Sequence, residues 1–406
     1  MTLTIIADDL TGACDTGCLF AGPAPVGVIA EPGLVRSDAG VVAVDTESRA
    51  LAPPDAGRRV RAAASRLGSR LHAGPLFKKI DSTMRGPVGA ELAALLDTGG
   101  WDGALVCPAF PTQGRVVRDG VLYVDGVPAH ETAIGRDRHY PGGTSNVAMI
   151  LAQGLALGAT RVIHRLPLAA VRAGAEAVRD VLGRAAGGLV AADAETDGDL
   201  AVLAAATTAP RPAWLLAGSA GLGQAMAGAL RFPRATVPLP SGRAWLWVVG
   251  SLHAASRAQL VELQAAGAVG VSLEGRTDAG RRAPDLSPVL RALGGGQPAY
   301  LASDPRARLA PRDASRALGV ATARVLADAA PDVLAVTGGE TAYEVLQALS
   351  ATRLDLLGAP ASGLALGALT VAGSARLNGS PLPLLAKAGG FGAPDLFLTL
   401  LERRAA

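Results

Sequence analysis

Short apolar runs alternate with longer amphipathic stretches along most of this chain. In its first part, apolar runs occupy residues 2–7, 26–30, 40–44, 75–80, 103–107 and 214–218. Stretches rich in alanine, arginine and leucine, such as 55–72 and 168–186, lie between these runs and predict helices. The alternation resumes with apolar runs at 244–249, 269–273, 298–302 and 332–336. Strands that alternate with helices predict an α/β fold of mostly parallel sheets flanked by helices.

A proline-rich segment interrupts this alternation at residues 232–243. Pro233, Pro238 and Pro240 remove backbone hydrogen-bond donors and fix an extended path, which is typical of a linker. The sequence therefore predicts two domains, 1–235 and 244–406, joined by a linker at about 236–243. A length of 406 residues fits two large domains.

The composition indicates a folded globular protein that binds neither nucleic acid nor membranes. Half of the residues are hydrophobic and 18% are charged, unlike the composition of disordered chains. The net charge is only +3, no lysine and arginine run is present, and no stretch approaches the ~18 apolar residues of a membrane span. The N-terminal residues do not resemble a secretory signal and the chain has three cysteines, so we expect a cytoplasmic protein.

Acidic residues directly follow the first predicted strand. Asp8 and Asp9 come after the fully apolar run TLTIIA. Such residues can simply cap the next helix, because a negative charge stabilises a helix N-terminus. Two adjacent carboxylates at the carboxyl end of a parallel strand nevertheless favour a functional role, since ligands bind at that edge of an open sheet.

A second polar cluster follows the strand at 75–80, in the segment KKIDSTMRG. Lys79 lies inside the predicted strand, and Asp81 and Arg85 lie in the following turn. A structural ion pair would explain part of this pattern, but a guanidinium fork is well suited to a substrate carboxylate. Arg115, in the segment FPTQGR, is equally consistent with a substrate contact and a phosphate contact.

The cysteine and histidine residues do not indicate a metal site. Cys14 and Cys18 lie four residues apart without a matching pair elsewhere, so they are predicted to be small core residues. The five histidines lack the spacing of metal ligands. The sequence therefore predicts no metal-ligating protein residues.

The second half offers glycines and hydroxyl groups at its strand ends instead of acids and bases. Ser251 follows the run AWLWVV, TGGET occupies 337–341, and KAGGFG occupies 387–392, with a helix predicted from Pro394. Glycine-rich turns that open a helix present backbone N–H groups to an anion. One half is thus suited to holding and deprotonating a small acid and the other to holding phosphate, an arrangement that a group transfer needs.

Known nucleotide motifs are weak in this sequence. The motif GxxxxGK[ST] does not occur, which excludes a Walker-type NTPase. The segment GSAGLGQAMAG at 218–228 nearly matches GxGxxG, but Met226 occupies the last glycine position. This near match alone is weak support for a dinucleotide site.

Taken together, these segments resemble the four-carbon acid sugar kinase family, the ATP-dependent kinases of threonate, erythronate and 3-oxo-tetronate. The resemblance covers nearly the whole chain and rests on eight segments in order: ADDLTGA (7–13), KKIDSTMRGPVGAEL (78–92), PAFPTQGR (108–115), GVPAHET (126–132), DAETDGDL (193–200), GSAGLG (218–223), TGGET (337–341) and KAGGFG (387–392). Two segments depart from the family pattern: GSLHAAS, with His253 at a hydroxyl position, and residues 136–147, where substrate specificity is read.

The resemblance implies an N-terminal sugar-acid domain, a C-terminal nucleotide domain and an active site in the cleft between them. It implies phosphoryl transfer from ATP, with Mg²⁺, to the terminal hydroxyl of a four-carbon or similar short sugar acid. Arg85 and Lys79 are expected to hold the substrate carboxylate, and Asp81 or Asp9 to accept the hydroxyl proton. The full set of implied substrate contacts is Asp8, Asp9, Lys79, Asp81, Ser82, Arg85 and Arg115.

The same resemblance implies ATP contacts in the second domain. These are Ser251, Ser256, Thr337, Gly338, Gly339, Glu340, Thr341, Lys387, Gly389, Gly390 and Gly392. The protein ligands of Mg²⁺ are not implied.

Two other functions compete with the kinase hypothesis. A NAD-dependent sugar-acid dehydrogenase would use the GSAGLG turn, and a non-catalytic sugar-acid binding protein would need no proton acceptor. The sequence leaves open the identity and stereochemistry of the acid, the choice of base and the oligomeric state, for which a homodimer is one alternative.

Overall fold

A computed structural model describes residues 2–30, 39–155, 161–208, 213–233, 237–273, 284–307, 310–372 and 380–403. Residues 234–236, which include the start of the predicted linker, lie outside the described residues.

The described residues form strands at every apolar run named above. In chain order the strands are β1 (Leu3–Ala7), β2 (Val26–Ala30), β3 (Val41–Asp45), β4 (Leu76–Lys79), β5 (Gly103–Cys107), β6 (Arg115–Arg118), β7 (Val121–Val124), β8 (Val127–Pro128), β9 (Ile163–Leu166), β10 (Leu189–Ala192), β11 (Trp214–Gly218), β12 (Trp245–Val249), β13 (Val269–Leu273), β14 (Ala299–Ser303), β15 (Val333–Thr337), β16 (Ala351–Gly358), β17 (Leu364–Val371) and β18 (Leu382–Lys387).

Helices separate most of these strands. They are α1 (Leu10–Cys18), α2 (Pro53–Leu67), α3 (Val88–Leu96), α4 (Val147–Gly154), α5 (Leu168–Arg172), α6 (Ala175–Arg184), α7 (Asp197–Thr207), α8 (Ala220–Ala229), α9 (Ala254–Ala265), α10 (Ser287–Gly294), α11 (Pro311–Asp328), α12 (Gly339–Ala348) and α13 (Leu396–Glu402). The last helix begins at Leu396, two residues after the predicted start, because Pro394 and Asp395 form a turn before it.

The chain divides into two compact units. Unit 1 comprises Met1–Phe20 and Gly40–Pro233, and unit 2 comprises Ala21–Ala39 and Arg234–Ala406. The sheet of unit 1 has the strand order β3-β1-β4-β11-β5-β10-β9, and all of its pairings are parallel. Strands β6, β7 and β8 form a separate small antiparallel sheet. Unit 1 therefore has the parallel architecture that the alternating pattern predicts.

Unit 2 has a mixed sheet. Its first five strands, in the order β13-β14-β12-β15-β18, are parallel. The order continues with β17, β16 and β2, whose pairings are antiparallel. This antiparallel extension was not predicted, because a hydrophobic run does not reveal the direction of its partner strand.

The segment around β2 differs from the predicted domain organisation. The sequence assigned residues 1–235 to one domain, whereas β2 pairs with β16 and belongs to the sheet of unit 2. A strand joins the sheet with which it forms its backbone hydrogen bonds, wherever it lies in the chain. The two units are therefore not separated by a single cut, and the linker at 236–243 stays a prediction.

Each unit has its own buried core. In unit 1, Ile5, Phe77 and Leu216 lie side by side on adjacent strands and are almost fully buried. In unit 2, Trp247 stacks on Phe397 with ring centroids 4.1 Å apart. Burial of aromatic and aliphatic side chains at this scale is the main stabilising term for both sheets, and it fixes the strand ends that carry the polar residues.

Candidate active site

The polar residues of unit 1 meet at one edge of its sheet. Ala7 pairs with Asp45 and with Lys79, and Lys79 pairs with Gly218. Because these strands are parallel and in register, the segments that follow them leave the sheet at the same level. The structure thereby brings Asp8, Asp9, Lys79 and the turn that contains Asp81 to one place.

Arg49 binds the two adjacent carboxylates of this edge. Its Nε and Nη2 atoms donate to Asp8 at 2.8 and 2.9 Å, and its Nη1 and Nη2 atoms donate to Asp9 at 2.7 and 2.8 Å. The backbone N–H groups of Ser48 and Arg49 also donate to the Asp8 carbonyl oxygen, which fixes the loop after β3. Sequence reasoning missed Arg49, since one arginine in a loop carries no signal of its partner.

Asp8 and Asp9 have different roles within this group. Asp9 caps α1, because its side chain accepts from Gly12 N at 2.9 Å and from the Thr11 hydroxyl at 2.8 Å. Burial raises the pKa of Asp8, but the charge and hydrogen bonds of Arg49 outweigh burial and hold that pKa below its usual value. A single guanidinium thus holds both carboxylates, and the capping interpretation is correct for Asp9.

Asp81 and Arg85 form an ion pair at the start of the next loop. Arg85 donates from Nε and Nη2 to the two oxygens of Asp81 at 2.9 and 2.8 Å, and from Nη1 to Asp137 at 3.1 Å. Thr83 also donates to Asp81 through its backbone N–H and its hydroxyl. Burial alone would raise the pKa of Asp81, but Arg85 holds it well below its usual range. The structural ion pair considered for this motif is therefore present, and it occupies much of the Arg85 guanidinium.

Lys79 has a different environment from the two arginines. Its side chain is 6% exposed and its Nζ donates to the Ile80 carbonyl oxygen at 2.9 Å, with no ion pair to a described residue. A methyl group added at Gly12 would lie 3.3 Å from this Nζ, so α1 passes close to the ammonium group. A buried cation without a carboxylate partner is suited to an anionic ligand.

Asp15 is a further carboxylate near Lys79 that the sequence did not single out. It lies on α1 three residues after Gly12, on the same helix face. Burial is the main reason that its pKa is raised to about 6; the charge of Lys79 lowers this pKa and that of Asp9 raises it. No described residue donates a hydrogen bond to its carboxylate, in contrast to Asp8, Asp9 and Asp81. It is the kind of group that exchanges a proton near neutral pH.

Ser82 and Arg115 lie at the margin of this group. Ser82 is partly buried in the turn between Asp81 and Thr83. The Nη1 atom of Arg115 donates to the Gln113 carbonyl oxygen at 2.6 Å, while its Nε is buried and has no hydrogen-bond partner among the described residues. Burial lowers the pKa of Arg115, and the charges of Asp125 and, to a smaller extent, Asp81 oppose this effect; the influence of Asp81 places Arg115 near the site. Its position thus supports an anion contact.

A buried ion pair lies next to these residues. Lys78, whose side chain is on the opposite face of β4 from Lys79, lies 2.8 Å from Glu91 of α3, and both side chains are at most 1% exposed. Ser48, one residue before Arg49, donates a short hydrogen bond to Glu91. Burial raises the pKa of Glu91 and the Lys78 charge opposes that rise. This pair connects α3, β4 and the loop that positions Arg49.

Unit 2 brings three strand ends together in the same way. Val249 pairs with Thr337 and Thr337 pairs with Lys387, so the segments after β12, β15 and β18 leave the sheet side by side. The approach is close: a methyl group added at Gly250 would collide with the Thr341 hydroxyl, and one at Gly389 would collide with the Ser251 hydroxyl.

Backbone groups dominate this edge of unit 2. Gly338 has a φ of 93°, which favours glycine, and it precedes α12 as the N-cap. Gly339, Glu340 and Thr341 form the first turn of that helix, where N–H groups have no intrahelical acceptor. The edge is therefore a narrow cradle of small residues that fits a phosphate group.

Ser256 and Lys387 lie beneath the cradle. Ser256 is fully buried and donates to the Gly389 carbonyl oxygen at 2.7 Å. Lys387 is 2% exposed and donates to the Ala388 and Gly389 carbonyl oxygens at 3.0 and 3.3 Å. The structure thus places both near the predicted nucleotide loop, on its protein side.

The GSAGLG turn of unit 1 is filled by protein atoms. Ser219 is fully buried and its hydroxyl donates to the Ala109 carbonyl oxygen at 2.6 Å. A methyl group added at Gly221 would lie 2.9 Å from the Phe110 ring. A dinucleotide-binding turn must leave its helix N-terminus open to a pyrophosphate, so this geometry disfavours a dinucleotide site.

Comparisons with known proteins match the two halves of the chain to two different family models. One family model, described as a sugar-binding N-terminal domain, matches residues 3–226, and another, described as a nucleotide-binding C-terminal domain, matches residues 246–397. A D-threonate kinase of Bordetella bronchiseptica is 36% identical and the alignment covers 98% of each chain. The chain belongs to the four-carbon acid sugar kinase family. The resemblance stated from the eight segments is confirmed.

Relatives within this family are named as kinases of different sugar acids. A 3-oxo-tetronate kinase of Methylobacterium radiotolerans is 33% identical over the full length of both chains. A solved structure of a Salmonella typhimurium LT2 protein has a TM-score of 0.75 at 21% identity and covers 98% of both chains, which supports the two-domain α/β fold.

Two features are absent from the part of the chain that the structure describes. None of its helices there combines the length and hydropathy needed to cross a bilayer. Nor do the described residues form a group of three or more histidine, cysteine or acidic side chains that could hold a metal ion.

Proposed function

We propose that this kinase family member transfers a phosphoryl group from ATP to the terminal hydroxyl of a four-carbon sugar acid such as threonate, erythronate or a 3-oxo-tetronate. The observation that carries the proposal is the contrast between the two sheet edges. Unit 1 presents buried charged groups together with Lys79, whose ammonium forms no ion pair with a described residue, whereas unit 2 presents a cradle of glycines and N–H groups. Family membership supports assigning the acid to the first edge and the nucleotide to the second.

Lys79 and Arg115 are the cations best suited to the substrate carboxylate. Neither forms an ion pair with a described carboxylate, and Arg115 keeps a buried Nε without a partner. Arg49 and Arg85 already hold carboxylates of the protein, so their role is to fix the positions of Asp8, Asp9 and Asp81. This proposal changes the expected role of Arg85 from a direct carboxylate contact to a positioning one.

On the nucleotide side, Ser251, the first turn of α12 and the glycine loop after β18 would hold the phosphates. The N–H groups and small side chains of this cradle match the size and charge of a phosphate. Mg²⁺ usually binds through one or two carboxylates together with phosphate oxygens. Glu340, in the first turn of α12, is the carboxylate of this loop that would hold a metal entering with ATP. When bound, Mg²⁺ neutralises phosphate charge.

Asp15 is the carboxylate that we propose as proton acceptor. Asp81 and Asp9, which the sequence offered for this role, accept several hydrogen bonds and are held by guanidinium groups. Arg85 makes Asp81 a weak base, because it holds the pKa of this carboxyl well below its usual range. Asp15 accepts no hydrogen bond from a described residue, and its raised pKa keeps it basic beside Lys79. Lys79 would then orient the acid close to the group that takes its hydroxyl proton.

The pH dependence of turnover tests this assignment. Asp15 must be ionised to accept a proton, and its pKa is raised to about 6. We expect kcat/KM for the sugar acid to fall about tenfold per pH unit below pH 6. The variant Asp15→Asn should lose roughly 100-fold or more in kcat and lose this acidic limb, as measured by ADP release from pH 5 to 8.

Asp55→Asn is a suitable control, because Asp55 is an exposed residue at the start of α2. It should leave both the rate and its pH profile unchanged. An Asp15→Asn enzyme that keeps full turnover and the acidic limb would return the role to Asp9 or Asp81.

A panel assay tests the proposed activity itself. Threonate, erythronate, their 3-oxo forms and other short acids would be incubated with ATP and Mg²⁺, with ADP release and phosphorylated product as readouts. We expect turnover with at least one four-carbon acid. ATP binding without turnover of any acid would favour the non-catalytic binder, and tight NAD binding without ATP binding would favour a dehydrogenase.

A further inference from the structure

The glycine loop after β18 has an unusual arrangement of its carbonyl groups. Buried side chains donate hydrogen bonds to five carbonyl oxygens within six consecutive residues. These are the carbonyl oxygens of Ala388, Gly389, Phe391, Gly392 and Ala393. Exposed loops usually leave such groups to solvent, so this loop is held from its protein side.

Two of the donors lie on one face of α9. Ser256 donates to Gly389 at 2.7 Å, and Gln259 Nε2 lies 2.9, 3.1 and 3.0 Å from the carbonyl oxygens of Phe391, Gly392 and Ala393. The two side chains are three residues apart and fully buried. The amide nitrogen of Gln259 is shared among three acceptors. These contacts fix the position of the Gln259 side chain and that of the loop.

The third donor is Lys387. Besides its bonds to the Ala388 and Gly389 carbonyl oxygens, its ammonium lies 3.3 Å from the Ser256 hydroxyl and 6.0 Å from the centre of the Phe397 ring. No described carboxylate pairs with it. We name Ser256, Gln259 and Lys387 the carbonyl clamp.

The opposite side of the loop presents backbone N–H groups. No described residue accepts a hydrogen bond from the N–H groups of Gly389, Gly390 or Gly392, whereas Phe391 N bonds to the Ala388 carbonyl oxygen. Drawing carbonyl oxygens inward removes their repulsion of an anion and leaves the N–H groups as the polar groups available to a phosphate.

We propose that the carbonyl clamp is a positioning device that sets the glycine loop in the form that binds the nucleotide phosphates, with Lys387 acting through the loop carbonyls rather than by touching the nucleotide. This proposal rests on the proposed function for the identity of the ligand. It assigns Lys387 and Ser256, both expected to contact ATP, a role beneath the loop.

The charge of Lys387 makes the device sensitive to pH. Burial lowers the pKa of Lys387 to about 8. The ammonium form exists below this pH, so its hydrogen bonds with the carbonyl oxygens weaken as the pH rises through 8. Among the described residues around it, Ser256, Gln259 and Phe397 do not titrate in this range. His253, whose ring lies near Gly390, and Asp395, which follows the loop, are titratable side chains close to it.

Hydrogen exchange of the ligand-free protein tests the clamp without any activity. In Lys387→Met and Gln259→Met, we expect the amides of 388–393 to exchange faster than in the wild type while the amides of β12 and β15 do not change. Lys387→Arg keeps the charge and should restore part of the protection. Glu262→Gln, on the exposed side of α9, is the control and should match the wild type.

Calorimetric titration with ATP and MgCl₂ then tests the consequence for binding. We expect the dissociation constant of Lys387→Met at pH 7 to be raised roughly tenfold, as loss of one or two hydrogen bonds to a charged group implies. The wild-type constant should rise between pH 7.5 and 9 toward that of Lys387→Met, whose own constant stays flat. His253→Asn should keep the wild-type pH dependence of the dissociation constant for ATP. The KM for the sugar acid should not change in these variants.

The two experiments test the proposed nucleotide and the carbonyl clamp separately. A wild-type protein that does not bind ATP overturns the proposed nucleotide, and loop exchange still tests the clamp. Unchanged exchange and unchanged ATP affinity in both methionine variants overturn the clamp while the proposed function stands.

Discussion

Replacing Arg49 with alanine is expected to lower stability by about 3 kcal/mol and kcat/KM by about 100-fold. The guanidinium holds Asp8 and Asp9 through four hydrogen bonds of 2.7 to 2.9 Å, and Asp8 is 1% exposed. Its removal leaves a buried carboxylate without a partner, which costs about 3–5 kcal/mol in other proteins; the partial exposure of Arg49 places this case at the lower end. Displaced site carboxylates would also lose the geometry that transfer requires. Urea unfolding and steady-state kinetics measure the two effects.

The loss of stability in Arg49→Ala depends on pH. Arg49 lowers the pKa of Asp8 in the folded state, so the stabilisation is present above the unfolded pKa of about 4 and is lost as the pH falls through the folded value. The difference in unfolding free energy between wild type and Arg49→Ala should therefore shrink in acid.

Two further variants make this result interpretable. Arg49→Lys keeps the charge but not the fork, and should fold with an intermediate loss of activity. Arg58→Ala removes an exposed arginine whose partner, Asp55, is also exposed, and should change stability by less than about 1 kcal/mol. An Arg49→Ala protein with wild-type stability and kinetics would remove the guanidinium from the site.

Replacing Lys78 with methionine is expected to have the largest effect on stability, about 3–5 kcal/mol. Lys78 and Glu91 are 2.8 Å apart and almost completely buried, so the change leaves a carboxylate in an apolar environment. The pKa of Glu91, already raised by burial, should rise further, so that the penalty grows as the pH increases. Unfolding in urea at pH 6 and pH 8 measures this difference.

The double variant Lys78→Met/Glu91→Leu provides the matched test. Replacing both charges with apolar groups of similar volume is often close to neutral, so we expect it to be more stable than Lys78→Met alone. If the destabilisations of the two single changes simply added in the double variant, the pair would not act as a unit. The exposed pair Arg61 and Asp97 serves as a control in which all changes should be small.

Much of the fold follows from the order of residues. Apolar runs such as 3–7, 103–107 and 245–249 are strands, and the alternation with helices predicted the parallel sheets. The Asp-Gly pair in YVDGVP is typical of a hairpin turn, and Asp125 and Gly126 adopt the positive φ values of 51° and 82° that such a turn needs. The patterns that predict these features lie among residues that are close in sequence.

The candidate site was predictable only in part. Asp8, Lys79 and Asp81 could be found because each lies at the end of an apolar run, and the register of a parallel sheet brings such ends together. Arg49, Asp15 and Gln259 could not be found in this way. Arg49 lies in an ordinary loop, and Asp15 and Gln259 lie within helices, where their residue types have no distinctive pattern.

By itself, the sequence determined the α/β class, the family and the positions of the strand-end motifs. The tertiary structure decided which charges are paired and which remain available. Arg85 is engaged by Asp81 and Asp137, Lys79 has no carboxylate partner among the described residues, and Lys387 faces the carbonyl side of its loop. The physical reason is that burial and pairing depend on contacts between residues far apart in the chain, such as Arg49 with Asp8, and these contacts set the pKa and availability of each group.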